Sequence, residues 1–487
     1  MLLDARSVPD GSDIETDICI VGAGAAGITL ALELAGSPLR VTLLESGGLE
    51  AEPETQALYR GRVFGRRYFN LDAARTRRFG GSTNCWQGIC APLSPIDFEA
   101  REWVENSGWP FRARDLAPFY VRARRICGLP SEPASLNLDE TSALPFQGPV
   151  IETRLLDVHP RRFGQDHRDA VTRARNVRTY LHANVVEFEM PSDGGRITGV
   201  RVATLKGGRF SVRARWFVLA TGAIENARLL LASNRTRSAG IGNEHDWVGR
   251  NFMEHPHVVA AVFLPSYADL SLGLYAAPRG QKPASMAVLG LSQATLRSER
   301  LLSALTRPVS SAELPDFERA LASVVGDIDE RQDRPAQQVH FLLGQCEQAP
   351  NPSSRVRLIE ERDALGMPRI QLEWRLSDID QRSLRRSFEI LARELGRAGL
   401  GRLQLLLSEF APDWPEDLGG GRHHMGTTRM SDDAKRGVVD RNARVHGVSN
   451  LFVAGSSVFP TSGAVGPTLT LVALAIRLAD RLKQARA

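Results

Sequence analysis

The first unbroken apolar run, Asp17-Ile-Cys-Ile-Val21, has the length of a strand buried on both faces. It feeds directly into Gly22-Ala-Gly-Ala-Ala-Gly27, and Ile28 to Ala35 continues at helical spacing. A second run, Arg40-Val-Thr-Leu-Leu44, predicts a parallel neighbour that ends in Glu45. Two later segments repeat the strand-to-turn pattern: Trp216-Phe-Val-Leu-Ala220 before Thr221-Gly222 and a helix over Ile224 to Ala232, and Leu451-Phe-Val-Ala454 before Gly455-Ser456-Ser457. Thr468 to Leu482 reads as an apolar helix with Pro467 in its first turn. The stretch 258–412 is richer in β-type residues, with strands expected at Val339 to Leu343 and Arg369 to Trp374, then a helix from Ser377 to Arg397 with Ser377 as its N-cap. Residues 262–338 carry no motif and are the expected place for a lid or an oligomer contact.

This order of elements predicts an α/β chain whose nucleotide-type domain is assembled from distant pieces, with a second, sheet-containing domain inserted. The expected boundaries are 1–257 for the first part, with elements of the second domain around 90–160, then 258–412 for the insert and 413–487 for the closing part. At 487 residues, 43% hydrophobic and 24% charged, the chain has the composition of a globular protein with a sizeable core. No apolar run approaches the ~20 residues of a membrane helix, so no membrane span is expected. A net charge of +5 is small for this length and does not call for nucleic acid. Seven arginines between Arg60 and Arg78 form the one basic run, read as a solvated face. The five cysteines are scattered without a CxxC pair, which argues against a disulfide framework and against a zinc site. The first residues show no apolar export core, so the cytoplasm is the expected compartment.

Strand, glycines, helix, strand and acid stand in the register of a dinucleotide site. Gly22 allows the tight turn, Gly24 lets backbone approach a pyrophosphate, and Gly27 lets the helix sit close to the strand. The helix N-terminus then aims free N–H groups at phosphate oxygens, while Glu45 is placed to bond a ribose hydroxyl.

Five segments together resemble the glucose-methanol-choline (GMC) flavin oxidoreductase family: Gly22 to Gly27 with Glu45; Arg78-Phe-Gly-Gly-Ser-Thr-Asn-Cys-Trp86; Gly249-Arg-Asn-Phe-Met-Glu-His-Pro256; His423-His-Met-Gly-Thr-Thr-Arg-Met430; and Asn450 to Pro460. The His-His-Met-Gly-Thr box is most similar to that of bacterial sugar and polyol dehydrogenases. The resemblance implies a Rossmann-like FAD-binding domain built from both chain ends, plus an inserted α+β substrate domain with an antiparallel sheet. It implies FAD contacts at Gly22, Gly24, Ala25, Gly27, Glu45 and Ser46, and at Ala220 and Gly222. Gly80, Gly81, Ser82, Asn84 and Cys85 would follow the pyrophosphate toward the flavin N5 edge, and Val186 would meet adenine through its backbone. Gly455 and Ser456 would hold the ribityl chain, with Gly466, Pro467 and Thr468 at the pyrimidine end. A helix starting near Pro467 puts its positive end where a reduced flavin is negative.

In this family a histidine takes the hydroxyl proton of an alcohol whose carbon gives hydride to the flavin, and the matching residue is His423. An imidazole accepts a proton at neutral pH. His424, its neighbour, is expected to point to the opposite face and serve as a core histidine. Pairing of His423 with His424, or of His255 with His257, on a metal is not expected, because no carboxylate or thiolate accompanies them at usable spacing. The family's usual second catalytic side chain, a His or Asn before a Pro, is absent: that position is Gly466. Either His424 or a group on the substrate compensates, or the chemistry differs. The leading reading is FAD-dependent oxidation of a hydroxyl on a sugar, amino sugar or polyol. The alternatives are another flavin reaction (desaturation, amine oxidation or a non-redox lyase) and an FAD-containing binding protein without turnover. FAD is expected to be noncovalent, with Cys85 a small packing residue rather than a thioether link. The electron acceptor is oxygen, a quinone or a redox carrier, among which no motif selects.

Overall fold

The computed structural model describes residues 1–135, 143–267, 269–278, 280, 284–309, 339–407, 414–415 and 418–485. Residues 310–338, much of the stretch read as a lid or oligomer contact, lie outside the described residues.

Asp13–Val21 is central to a mostly parallel eight-stranded sheet. Its apolar end, Ile18 to Val21, is buried on both faces, as a strand covered by helices must be. Val41–Leu44 pairs with it on one side, Ile18 opposite Val41, followed outward by Val177–Leu181 and Leu2–Asp4. Arg209–Leu219 pairs on the other side and is longer than the sequence suggests. Its first residues turn to antiparallel pairing with Gly199–Ala203, which in turn pairs with Asn184–Glu189. Leu451–Val453 joins the far edge of Arg209–Leu219 in parallel, with Phe217 opposite Leu451. The C-terminal helix Thr468–Gln484 then packs on the helices Ala25–Leu34 and Ala113–Ile126, so both ends of the chain close one Rossmann-like unit.

A second sheet is antiparallel throughout, in the order Gly401–Leu405, Pro256–Pro265, His340–Cys346, Ala304–Val309, Ala284–Leu291, Ile151–Val158 and Ile89–Cys90. The helix Asp378–Arg397 packs against it. Ser377 caps that helix, its N–H and Oγ both donating to Asp380 Oδ2 at 2.6 Å. Pro368–Trp374 is a strand, as expected, but it lies outside this sheet. It belongs to a separate three-stranded sheet with Arg355–Arg362 and, in parallel, Arg62–Gly65. Its alternation of buried Ile370, Leu372 and Trp374 marks a strand with one covered face, and that pattern is the same whichever sheet supplies the partner. No helix among the described residues is long and apolar enough to cross a membrane.

Candidate active site

A cavity of about 670 Å³ runs from the first glycine turn to the junction with the antiparallel sheet. Its walls bring together residues from four separate strand-to-turn junctions. Gly22, Gly24, Ala25, Glu45 and Ser46 line one end, with Ala220 and Gly222 beside them. Gly81, Ser82 and Cys85 line the middle, and Gly455, Ser456, Gly466, Pro467 and Thr468 the far side with His423 and His424.

The glycine turn is built as its chemistry requires. A Cβ at Gly27 would lie 1.8 Å from the Gly22 carbonyl oxygen, so the helix can approach the strand only with glycine there. By contrast, a Cβ at Gly24, Gly222 or Gly455 would find no protein atom within 4 Å. These three backbones stand open to the cavity, and the helix at Ala25 begins with no side-chain cap on its free N–H groups. This is a cradle for a diphosphate-bearing ligand of dinucleotide size, and the residues present fit FAD. Glu45 is buried and bonded by the Ala23 N–H at 2.8 Å and the Gly47 N–H at 2.9 Å. Burial raises its pKa, and these two donors offset part of that rise.

Four expected contacts are placed differently, the first being Gly27, which packs beneath the turn against the Gly22 carbonyl and does not line the cavity. Val185, not Val186, lines the cavity: Val186 sits in a separate pocket with Asp10 and Arg201, because neighbouring strand residues face opposite ways. Asn84 is turned inward, its amide donating to the Phe79 and Gly81 carbonyls at 2.9 Å, where it braces the loop rather than lining the cavity. Gly80 also lies behind the wall, its N–H bonded to the Ala23 carbonyl at 2.8 Å. The solvated basic face is corrected at two positions. Arg75 and Arg77 are buried, each 3.2 Å from Glu225, with their guanidiniums over the Tyr59 ring. Arg228 completes the cluster, 3.0 Å from Glu225 and 2.6 Å from Asp363. Burial alone would raise Glu225, but Arg228, Arg77 and Arg75 hold it down to about 2.

At the other end, His423 and His424 both line the cavity from an irregular segment, each turning its ring to its own partners. His424 Nε2 is 2.8 Å from the Tyr68 hydroxyl, which also bonds Glu254. Burial, then Arg75 and Arg422, push His424 down to about 3. His423 Nδ1 is 2.9 Å from His255 Nδ1, and burial followed by the three neighbouring histidines holds His423 well below the usual range. Glu254 Oε2 accepts the backbone N–H of both His423 (2.9 Å) and His255 (3.0 Å). Gly466 lines the wall, and a Cβ there would lie 3.2 Å from the Ile89 carbonyl oxygen. Among the described residues no group of three or more His, Cys, Asp or Glu is placed to hold a metal ion.

Sequence reading weighed His255 and His257 only as a metal pair and gave no site role to Tyr68, Glu254 or Gln345. His257 and Gln345 line the cavity from paired strands, opposite one another. Glu254 and His255 did stand in a family motif, but nothing in their spacing told that they would meet His423.

Comparison with known proteins decides the family. A profile described as FAD dependent oxidoreductase matches residues 17–279, over half of the chain, and one described as GMC oxidoreductase matches residues 350–475. The chain belongs to the GMC family of FAD-dependent oxidoreductases. This GMC oxidoreductase is 27% identical to paromamine 6'-oxidase of Streptomyces fradiae, over 95% of its own length and 90% of the relative's. It is also 27% identical to 6'''-hydroxyparomomycin C oxidase of Streptomyces lividus, covering 96% and 91%. Among solved structures it is similar in fold to pyridoxine 4-oxidase from Mesorbium loti, with TM-score 0.58, 19% identity, and 96% and 99% of the two chains covered.

Proposed function

We propose that this oxidoreductase oxidises a hydroxyl-bearing carbon of a sugar, amino sugar or polyol, with His423 as the general base. The observation that carries this reading is that His423 lines the same continuous cavity as the three open glycine backbones. Gly24, Gly222 and Gly455 would hold FAD noncovalently, and FAD would supply the hydride acceptor. The chain's own residues do the rest. His423 is kept neutral by burial and receives the hydroxyl proton on a ring nitrogen. Glu254 holds the backbone of His423, and Tyr68 and Phe252 pack around His424 beside it. The start of the helix Thr468–Gln484 lines the cavity with its positive end, which favours negative charge gathering there. The relatives named for oxidising paromamine and 6'''-hydroxyparomomycin C support a sugar-bearing substrate.

Gly466 favours a second reading, a flavin reaction other than alcohol oxidation. It offers no side-chain donor where a substrate oxygen would otherwise be gripped, a loss of roughly 2 to 4 kcal/mol of transition-state stabilisation for alcohol chemistry. Anaerobic titration of the holoprotein with sugars, amino sugars and polyols separates the two. Bleaching of the oxidised flavin band, abolished by His423→Ala, is the result expected. A flavin that stays oxidised across the panel overturns the first reading in favour of the second.

A further inference from the structure

We infer that His255 is a positioning residue that locks His423 in the tautomer with its proton on Nδ1, leaving Nε2 bare toward the cavity. The inference deepens the reading of His423 as the base, and it follows from which atoms can donate. His255 Nε2 lies 2.9 Å from the Gly463 carbonyl oxygen, and a carbonyl only accepts, so this nitrogen carries the proton of the His255 ring. A neutral imidazole has one N–H, so His255 Nδ1 is left as an acceptor. It stands 2.9 Å from His423 Nδ1, a separation that requires one hydrogen between the two nitrogens. Only His423 can provide it. His423 therefore bears its proton on Nδ1, and its remaining lone pair is on Nε2.

The surroundings keep both rings neutral. His255 is fully buried, and burial brings it down to about 4. His257, whose ring centre is 6.1 Å from that of His423, is likewise near 4. The carboxylate of Glu254 faces the pair, but its oxygens are taken by the N–H groups of His423 and His255 and by the Tyr68 hydroxyl. Gly463 fixes the far end. Its backbone is left-handed (φ +57°), and a Cβ would come within 2.8 Å of Leu93 and Asp97, so the carbonyl that orients His255 is held by packing. The two rings meet edge to face, with centres 5.0 Å apart and planes at 78°.

The consequence is chemical. With the proton on Nε2 instead, His423 would present a donor to a substrate hydroxyl and could not take its proton. With the tautomer locked, Nε2 accepts the proton, and the bond from Nδ1–H to His255 becomes charge-assisted as the ring turns cationic.

Nitrogen-15 NMR of the histidine-labelled holoprotein tests this, with the His423 signals assigned by their loss in His423→Ala. The expected result is a bare-acceptor shift for Nε2 and an N–H shift for Nδ1. A proton on Nε2 in the unaltered protein overturns the inference. In His255→Phe, which fills the space without an acceptor, the two tautomers should mix and flavin reduction should slow by about 100-fold with KM within about twofold. His255→Asn keeps a carbonyl oxygen near the Nδ1 position and should restore both the signature and most of the rate. An unchanged tautomer and rate in His255→Phe also overturns the inference. If the signature is as expected but His423→Ala turns over normally, His423 is not the base, yet the tautomer assignment stands.

Discussion

The buried carboxylate of Glu254 accepts the backbone N–H of His423 at 2.9 Å. Burial raises its pKa from the ordinary 4.5 to about 7, against the donors Tyr68, His423 and His255. Between those values the folded chain keeps a proton that the unfolded chain has lost. Glu254 thus contributes stability that is full below about pH 4.5 and lost as the pH rises through 7, on the order of 3 kcal/mol. Urea midpoints from pH 4.5 to 8 should fall less steeply for Glu254→Gln than for the unaltered protein. Parallel curves would reject this role.

The histidines act with the opposite sign. Burial lowers His255 and His257 to about 4 and His424 to about 3, so below pH 6.5 the unfolded chain takes up protons that the folded chain refuses. Their contribution is present above pH 6.5 and is lost as the pH falls toward 4. Near pH 5.5, His257→Asn should reduce proton uptake on unfolding by about one. Calorimetry in two buffers of different ionisation heat measures this, and an uptake unaltered by the substitution would show that His257 titrates normally.

Gly24 and Gly27 should respond differently to the same added methyl. Gly24→Ala places its Cβ in open cavity, so the flavin-free protein should keep its melting temperature within a degree or two while FAD affinity drops at least about tenfold. Gly27→Ala puts a methyl 1.8 Å from the Gly22 oxygen and should unfold or severely destabilise the chain. Equal FAD affinity in Gly24→Ala would mean that the diphosphate does not pass this turn.

Glu225 is the anion beneath three guanidiniums, those of Arg75, Arg77 and Arg228. Glu225→Gln leaves buried cations uncompensated and should cost about 3 to 5 kcal/mol in equilibrium unfolding. A loss under 1 kcal/mol would place the balancing charge on Asp363 alone.

Cys85 is exposed, lies on the cavity wall, and its Sγ is 3.4 Å from both Thr76 Oγ1 and the Ser82 carbonyl oxygen. Noncovalent binding predicts that FAD leaves the protein on acid precipitation and that Cys85→Ser keeps full flavin content. Yellow colour retained in the pellet, and absent in the variant, would establish a thioether instead.

What the sequence determined by itself is the local machinery. Asp17 to Gly27 reads as strand, turn and helix because apolar spacing and glycine sterics act over a few residues, and the folded chain has that order. The two-ended domain was legible for the same reason, since Leu451–Val453 and Thr468–Gln484 carry strand and helix patterns. What only the tertiary structure decided is which side chains meet across long separations. His255 reaches His423 over 168 residues, Tyr68 reaches His424 over 356, and Arg75 reaches Glu225 over 150. No periodicity encodes such pairings, because they depend on how two sheets and an irregular turn are packed together. Val186 and Asn84 show the same limit at short range: a strand's facing and a loop side chain's direction are set by the partners that cover them, and those partners come from elsewhere in the chain.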